Sequence, residues 1–246
     1  MALPRRDCQP PVDAFAVTTA VSAFVLVLSV MGLIGRPHAK ADEPPLRDER
    51  QAKMGWQDLF DRQSLKGLTI VDAADFRHHG EVRVQNGELV LETGAPATGV
   101  RFQTDPLPEF YELSLQAKRV KGSDFFCGLT FPVGESQCTW IVGGWGGEVV
   151  GLSNVNGRHA AENETGARFE FKNGQWYALT LRVTQLTIDA WIDDRHIIRL
   201  PRKDRKFDIW IEQQPLAPLG IAAWQTEAAF QSIRVRALDA TEETSD

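Results

Sequence analysis

The 246-residue sequence lacks the signatures of helical folds and of the common enzyme classes. Between residues 55 and 238 no segment keeps an apolar period of 3.6 residues, and no internal repeat is visible. There is no Gly-x-Ser-x-Gly elbow, His-Glu-x-x-His helix, phosphate-binding loop or Cys-x-x-Cys pair. The only adjacent histidines, His78 and His79, would point to opposite faces of a strand. No metal ligands are therefore assigned and the cofactor stays unknown: a divalent metal is compatible with the chain, but no motif supports one.

Positive charge is also scarce. The chain has 27 Lys and Arg against 33 Asp and Glu, which gives a formal net charge of -6. A general nucleic-acid-binding protein needs a basic face for phosphate, so nucleic acid is excluded as a partner. The hydrophobic fraction of 43% is ordinary for a globular protein, which can bury a core without disulfides.

Cysteine is the third scarce residue type. The chain has three cysteines, of which only Cys127 and Cys138 lie in the region expected to fold. A hairpin centred on Gly134-Glu135-Ser136 puts Pro132, not Cys127, opposite Cys138, whereas a disulfide needs Cα atoms close together. Two buried free thiols are therefore favoured over a bridge, although an oxidising compartment would permit one.

One long uncharged stretch is present at the N-terminus, over residues 14–35. It is about long enough to span a bilayer, which takes ~20 helical residues. The small residues Ala39 and Ala41 then provide a pattern that a signal peptidase could cleave. We interpret residues 1–41 as a signal peptide or as an N-terminal hydrophobic anchor helix, with a membrane contact through residues 14–35 if uncleaved. Both interpretations predict an extracytoplasmic protein, either periplasmic or at the cell surface.

The rest of the chain divides into three parts. Residues 42–54 are polar and contain a Pro-Pro pair, which is typical of a linker, and residues 239–246 form a polar, acidic tail. Residues 55–238 consist of short alternating segments separated by turns, and are predicted to form one folded domain. Asn86-Gly87 is the strongest hairpin signal among these turns, since both residue types tolerate positive φ.

Apolar residues alternate with polar ones along the predicted strands. The inward rows are expected at Leu113/Leu115/Ala117, Tyr177/Leu179/Leu181/Val183, Ile188/Ala190/Ile192, Phe207/Ile209/Ile211 and Ile233/Val235/Ala237. Period-two burial in many consecutive strands is typical of two antiparallel sheets packed face to face. The predicted fold is therefore an all-β, two-sheet jelly-roll sandwich, preceded by the N-terminal hydrophobic helix.

Several turn and strand motifs occur in an order that resembles one known family. They are Gly55-Trp56-Gln57-Asp58-Leu59-Phe60-Asp61, Val84-Gln85-Asn86-Gly87-Glu88-Leu89, Phe110-Tyr111-Glu112-Leu113, Asn173-Gly174-Gln175-Trp176, Leu219-Gly220-Ile221-Ala222 and Phe230-Gln231-Ser232-Ile233-Arg234-Val235. Together they resemble the 3-keto-disaccharide hydrolase family, which has a concanavalin A-like fold. The resemblance implies a carbohydrate partner and a 3-keto-glycoside hydrolase that works by elimination and hydration.

Two polar motifs of that family differ in this sequence. An Asn-Ser-Gly segment followed by an Arg corresponds here to residues 126–131, with Phe131 near the place of the Arg. The next strand, within residues 138–145, has no carboxylate where the family usually has one. These differences favour an alternative, a non-catalytic module that binds glycans or surface partners on the same fold. The wide coverage of the resemblance favours the enzyme, and the sequence leaves both open.

The implied chemistry needs a base, because a 3-keto group acidifies the proton on C2 of the sugar. Residues 146–165 are rich in Gly and Asn and are predicted to form a functional loop at the rim of a sheet. Glu148 and His159 in this loop are the candidate catalytic bases. The same loop contains three further residues predicted to contact sugar: Asn154, Asn156 and Arg158.

Tryptophans are the remaining candidates for a sugar site. An aromatic ring amid polar neighbours can stack on the apolar face of a sugar. Trp191 and Trp210 are placed on non-core strand faces, and Trp140 and Trp145 flank the small pair Gly143-Gly144. Each ring could instead be covered by a loop. The other three, Trp56, Trp176 and Trp224, are predicted to be structural.

Overall fold

The computed structural model describes residues 55–239 and residue 242, and these form a two-sheet antiparallel β-sandwich. The fold class predicted from the alternating strands is confirmed. The predicted N-terminal helix and linker lie outside the described residues. Within the described part of the chain, no helix is both long and apolar enough to cross a membrane.

The first sheet has eight strands. Seven follow one another in space: β13 (Arg195–Pro201), β12 (Thr187–Ile192), β11 (Trp176–Val183), β6 (Tyr111–Gly122), β15 (Thr226–Ala237), β4 (Glu88–Leu91) and β3 (Val82–Gln85). The eighth, β1 (Gln57–Asp58), pairs with β15 near its C-terminal end. The central pair of long strands, β6 and β15, connects the two halves of this sheet.

The second sheet has seven strands. Their order is β10 (Ala167–Arg168), β9 (Val149–Ser153), β8 (Ser136–Gly144), β7 (Cys127–Val133), β14 (Gly220–Trp224), β5 (Ala97–Phe102) and β2 (Leu68–Ile70). Two short 3₁₀ helices, η1 (Ala74–Phe76) and η2 (Ile211–Leu216), lie outside the sheets. Both contact β5 of the second sheet.

The main core lies between the sheets, where the inward rows predicted for β6, β11, β12 and β15 are buried, except that Ala237, the last residue of β15, is exposed. Leu113, Leu179 and Ile188 are at most 1% exposed. Each buried aliphatic side chain of this kind contributes roughly 1.5–3 kcal/mol through removal of apolar surface from water. The largest fully buried side chains of the whole domain include Trp140, Tyr111, Phe126, Phe131 and Phe230.

The predicted Asn86-Gly87 hairpin joins β3 to β4. Gln85 and Glu88 form the last rung of the pair, and Asn86 and Gly87 have φ angles of +53° and +78°. Positive φ at both central residues is the geometry in which a two-residue turn matches the twist of its strands.

The strand expected over residues 207–211 is not formed, so that prediction was wrong. Phe207 makes a single bridge with Val155 and belongs to no named strand. Ile211, expected in the core, is 77% exposed as the first residue of η2. Backbone hydrogen bonds join Asn154 and Asn156 to residues 206 and 208. The backbone polar groups of this segment therefore have partners without pairing in a sheet.

The two cysteines of the domain are free and buried, as favoured from the sequence. The hairpin register differs by one residue from the expected one, because Phe131 rather than Pro132 lies opposite Cys138. Cys127 lies opposite Val142, several rungs away along the same strand pair. Partners separated in this way cannot form a disulfide without moving the backbone.

Candidate functional site

The outer face of the second sheet carries a second apolar cluster, separate from the main core. Its buried members are Val71, Phe76, Ala97, Phe125, Ile141, Val149, Ala160, Leu216 and Ala222. Such a face would be solvated in many antiparallel sheets, but here η1, η2 and the loop after β9 cover part of it. A pocket of about 350 Å³ remains uncovered. Its lining residues are Asp75, Asp124, Phe125, Thr139, Ile141, Trp145, Ser153, Trp210, Glu212, Gln213 and Trp224.

The floor of the pocket is formed by outward-facing residues of β8 and β9. Thr139, Ile141 and Ser153 line it, while Trp140 and Val142 between them point into the main core. The hydroxyl of Thr139 is 2.9 Å from that of Thr130 on the neighbouring strand. The Ser153 hydroxyl accepts the backbone N–H of Ala160 at 2.8 Å, which ties the loop after β9 to the floor. The floor is thus a small polar patch within an apolar surface.

One wall is a stack of three aromatic rings. The ring of His159 lies between two tryptophans, 4.9 Å from Trp145 at an interplanar angle of 24° and 5.7 Å from Trp210 at 59°. Both tryptophans line the pocket and remain 45% and 42% exposed, respectively. Large, partly exposed indole rings beside polar groups provide the kind of surface on which the apolar face of a sugar ring stacks.

Asn154 holds this wall in position. Its side-chain amide donates to Asp208 Oδ1 at 2.7 Å, and its Oδ1 accepts a hydrogen bond from Trp210 Nε1. Farther along the loop, the Asn163 amide donates to the carbonyl oxygens of Leu152 and His159 at 2.7 and 3.0 Å. The loop is therefore fixed by its asparagines.

The pocket is also lined by Asp124, whose carboxyl group is half-buried. Burial is the main influence on this group and raises its pKa above the ordinary value of 3.8. Backbone N–H groups of Phe125, Gly146 and Trp145, and the charge of Arg119, act in the opposite direction. The bond from Phe125 N to Asp124 Oδ1 is 2.7 Å long. A carboxylate with a raised pKa in an aromatic pocket has the properties of a general base.

The pocket is completed by η2, which follows Trp210 directly. Glu212 and Gln213 line the pocket from this helix. Each has a buried side-chain oxygen without a protein partner, Oε2 in Glu212 and Oε1 in Gln213. Buried polar atoms without partners are few in native proteins, so each needs an explanation.

The predicted bases do not face this pocket. Glu148 is 53% exposed and forms an ion pair with Arg168 at 2.9 Å, so the structure does not place it in the site. His159 supports the aromatic wall, but both of its ring nitrogens have protein partners. Nδ1 accepts the backbone N–H of Ala161 at 3.3 Å, and Nε2 lies 3.0 Å from Glu162 Oε1.

The predicted sugar-binding residues also separate. Trp145, Trp210 and Asn154 come together at the aromatic wall, as described above. Trp140 is 0% exposed in the main core, where no ligand can reach it, so its assignment to a sugar site was wrong. Trp191 lies on the outer face of the first sheet, where it stacks on His196 at 4.5 Å, away from the pocket.

The other two loop residues predicted to contact sugar lie outside the pocket lining as well. Asn156 Oδ1 accepts the backbone N–H of Lys206 at 2.9 Å, which gives it a structural role in the loop. The Arg158 side chain is exposed, and its backbone closes a tight turn with Val155. Neither residue lines the pocket.

Sequence reasoning missed nine of the eleven lining residues: Asp75, Asp124, Phe125, Thr139, Ile141, Ser153, Glu212, Gln213 and Trp224. Asp124 follows β6 and precedes β7, Asp75 is in η1, and Glu212 and Gln213 are in η2. Their positions in the chain are distant, and only the fold brings them together. Among the described residues, no group of three or more His, Cys, Asp or Glu side chains is placed to hold a metal ion.

The domain was compared with proteins of known structure and sequence. Solved structures that are similar include a candidate glycosyl hydrolase from Parabacteroides distasonis, with 10% identity, coverage of 79% of this chain and 99% of the other, and a TM-score of 0.49. Domain 4 of an extracellular arabinanase from Geobacillus stearothermophilus, in complex with arabinotriose, has 15% identity, coverage of 72% and 86%, and a TM-score of 0.46. A carbohydrate binding module from Bacillus subtilis has 13% identity, coverage of 75% and 96%, and a TM-score of 0.42.

A search of curated proteins gave no match. A family model, described as the 3-keto-alpha-glucoside-1,2-lyase-like domain, matches residues 55–236, which is nearly the whole predicted domain. The resemblance drawn from the turn and strand motifs is thereby confirmed, and the domain is related to carbohydrate chemistry. The chain belongs to the family of 3-keto-alpha-glucoside-1,2-lyase-like domains.

Proposed function

We propose that the domain binds a 3-keto-α-glucoside in the pocket on the outer face of the second sheet and cleaves it by elimination, with Asp124 as the base. The observation that carries the proposal is the half-buried carboxyl group of Asp124, with its raised pKa, in a pocket walled by tryptophans. Membership of the family supports this substrate class.

The reaction follows from the chemistry of the sugar. The ketone at C3 acidifies the proton on C2, and the Asp124 carboxylate takes that proton. The electrons of the C2–H bond form a C1–C2 double bond while the bond from C1 to the leaving oxygen breaks. Protonated Asp124 can then return the proton to the departing oxygen, and water adds to the double bond in a later step.

Negative charge develops on the C3 oxygen during proton removal and has to be stabilised. The hydroxyl groups of Thr139 and Ser153 on the pocket floor are the donors that the domain itself can supply. Hydrogen-bond donors aimed at a developing oxyanion are among the largest contributions to catalysis. Trp145 and Trp210 would hold the sugar ring by stacking while these groups act.

One observation supports a second candidate function, a non-catalytic glycan-binding module. The outward positions of β7 and β8 hold Thr130 and Thr139, which bond to each other. The sequence has no carboxylate on β8, where the family usually has one. A module of this kind would use the same tryptophan wall and would bind sugar without turnover.

We further propose that the domain acts outside the cytoplasm. The support is the uncharged run of residues 14–35 followed by the Ala39/Ala41 pair. If the run is not cleaved, it would tether the domain to the membrane.

The Asp124→Asn substitution tests the catalytic proposal. Asn keeps the size of the side chain and an oxygen that can accept the Phe125 N–H, but it cannot act as the base. We expect the elimination rate of a 3-keto-α-glucoside to fall at least ~100-fold, as for loss of a general base, with affinity nearly unchanged. Glu148→Gln is the matched control and should leave the rate as in wild type, because Glu148 is exposed and outside the pocket.

The pH profile gives an independent readout. Asp124 must be ionised to act, and burial raises its pKa, so kcat/KM should fall with acidification at a higher pH than for an exposed aspartate. Full activity in Asp124→Asn would contradict the assignment of the base. Wild-type protein that binds the sugar without turning it over would favour the binding module.

A further inference from the structure

The two unpartnered oxygens on η2 indicate what the pocket accepts. Gln213 is 6% exposed and lines the pocket, and its Oε1 has no hydrogen-bond donor. The neighbouring Glu212 Oε2 is also buried and has no hydrogen-bond donor. Leaving a buried acceptor unpaired destabilises a protein, so a ligand donor is the natural partner for each. Both atoms are acceptors, and the ligand must therefore offer donors at this end.

The helix that carries these oxygens is firmly held. The Gln213 backbone N–H donates to Trp210 O at 2.9 Å, and Leu216 at the end of the helix is fully buried. Gly99 on β5 permits this packing, because a Cβ atom there would lie 2.8 Å from Phe76 Cε1 and 3.0 Å from Leu216 Cδ2. The backbone of η2 is thus held in place beside the pocket.

The charges around the pocket all have one sign. Three carboxylates line it, those of Asp75, Asp124 and Glu212, and no Lys or Arg is among its lining residues. The His159 ring lies between the two tryptophans of the wall, with its Nε2 3.0 Å from Glu162 Oε1. The nearby Arg119 guanidinium is occupied by Asn173 Oδ1 at 2.6 Å, Phe171 O at 2.8 Å and Gly147 O at 3.2 Å. An anionic ligand would be repelled by these carboxylates and would find no cation to pair with.

We infer that the pocket selects uncharged, hydroxyl-rich sugars, which donate hydrogen bonds to Gln213 Oε1 and Glu212 Oε2, and rejects uronic acids. This inference rests on the proposed function, since it assumes that the pocket is the sugar site. Gln213 is then a specificity-determining residue for the hydroxyl groups, and Glu212 contributes both an acceptor and the repulsion of anionic sugars.

The test compares sugars that differ in charge at one position. Methyl α-glucoside and methyl α-glucuronide share a ring, and the second replaces a CH₂OH group with a carboxylate. Their affinities can be measured through the fluorescence of the tryptophans that line the pocket, with methyl 3-keto-α-glucoside as the positive control. We expect the full-length protein to bind the glucoside at least ~10-fold more tightly than the glucuronide. Glu212→Gln should reduce this ratio.

Gln213→Met tests the acceptor itself. Met has a similar shape without the amide oxygen, so affinity for the glucoside should fall about tenfold. The melting temperature should stay the same or rise, because an unpartnered buried acceptor has been removed. A purely structural role for Gln213 would instead lower the melting temperature. Gln214→Met, on the same helix but exposed, is the matched control and should change neither quantity.

The outcomes separate the two proposals. If neither the 3-keto-glucoside nor the glucoside binds, the proposed function is wrong and so is the proposed selectivity. If the 3-keto-glucoside binds but the glucuronide binds as tightly as the glucoside, only the selectivity is wrong. Wild-type affinity in Gln213→Met would overturn the role of Gln213.

Discussion

Single residues of one type have very different surroundings in this domain, depending on whether they lie on the inward face of a strand or beyond its end. Trp140 on β8 points into the main core and is 0% exposed, whereas Trp145, the first residue after the same strand, is 45% exposed at the pocket. The sequence does not separate them, because Cys138 and Trp140 on one face of β8 alternate with Thr139 and Ile141 on the other. Neither face is clearly the polar one.

This difference predicts the effect of truncating each ring. Trp140→Ala should lower the free energy of unfolding by ~3–5 kcal/mol, as for a buried aromatic side chain. Trp210→Ala removes a ring that is 42% exposed, so it should cost only ~1 kcal/mol of stability while weakening sugar binding. Urea denaturation of both variants checks the prediction. Equal losses of stability would mean that Trp210 is a core residue.

At the scale of the element, β7 and β8 carry one side of the core and the floor of the pocket. Their inward faces hold Cys127 and Cys138, and burial raises the pKa of both thiols far above the ordinary value. A thiol reacts as the thiolate, so these cysteines should be inert in the folded protein.

Alkylation measures this directly. When full-length protein is treated with iodoacetamide in buffer, peptides that contain Cys127 or Cys138 should remain unmodified, and in strong denaturant both should be modified. Dithiothreitol should change neither result, because no disulfide joins them. Labelling of either cysteine in native buffer would contradict the closed packing of this hairpin.

At the scale of the molecule, the two sheets differ in what covers their outer faces. The outer face of the first sheet is polar, with ion pairs such as Arg182–Glu112 at 2.6 Å and Arg199–Asp189 at 2.8 Å. The outer face of the second sheet is apolar and is partly covered by η1, η2 and the loop after β9. The pocket with the tryptophan wall lies on this second face, among η1, η2 and the loop after β9.

The proposed location of the whole molecule has its own test. A fusion of residues 1–45 to a reporter that is active only outside the cytoplasm should be active, since residues 14–35 would direct export. Replacing two residues of that run by lysine should abolish the activity. N-terminal sequencing of the exported product then distinguishes cleavage before Asp42 from an uncleaved anchor. An inactive wild-type fusion would contradict the extracytoplasmic proposal.

The sequence by itself determined the fold class and the family. Period-two alternation on strands such as β6 and β11, and the Asn86-Gly87 turn, are local patterns whose physical cause lies within a few residues. The family motifs are turns and strand starts of the same local kind, which is why their order was sufficient for recognition.

Only the tertiary structure decided where the candidate site lies. Asp124 belongs to the connection between β6 and β7, whereas Trp210 and Gln213 belong to the connection between β13 and β14. They meet because β7, β8 and β14 lie in neighbouring positions of one sheet. No local pattern reveals that Glu148 is paired with Arg168 in solvent while Asp124 is half-buried. The properties that matter for function, burial and the lack of a hydrogen-bond partner, arise from contacts between distant segments and are therefore absent from any short stretch of sequence.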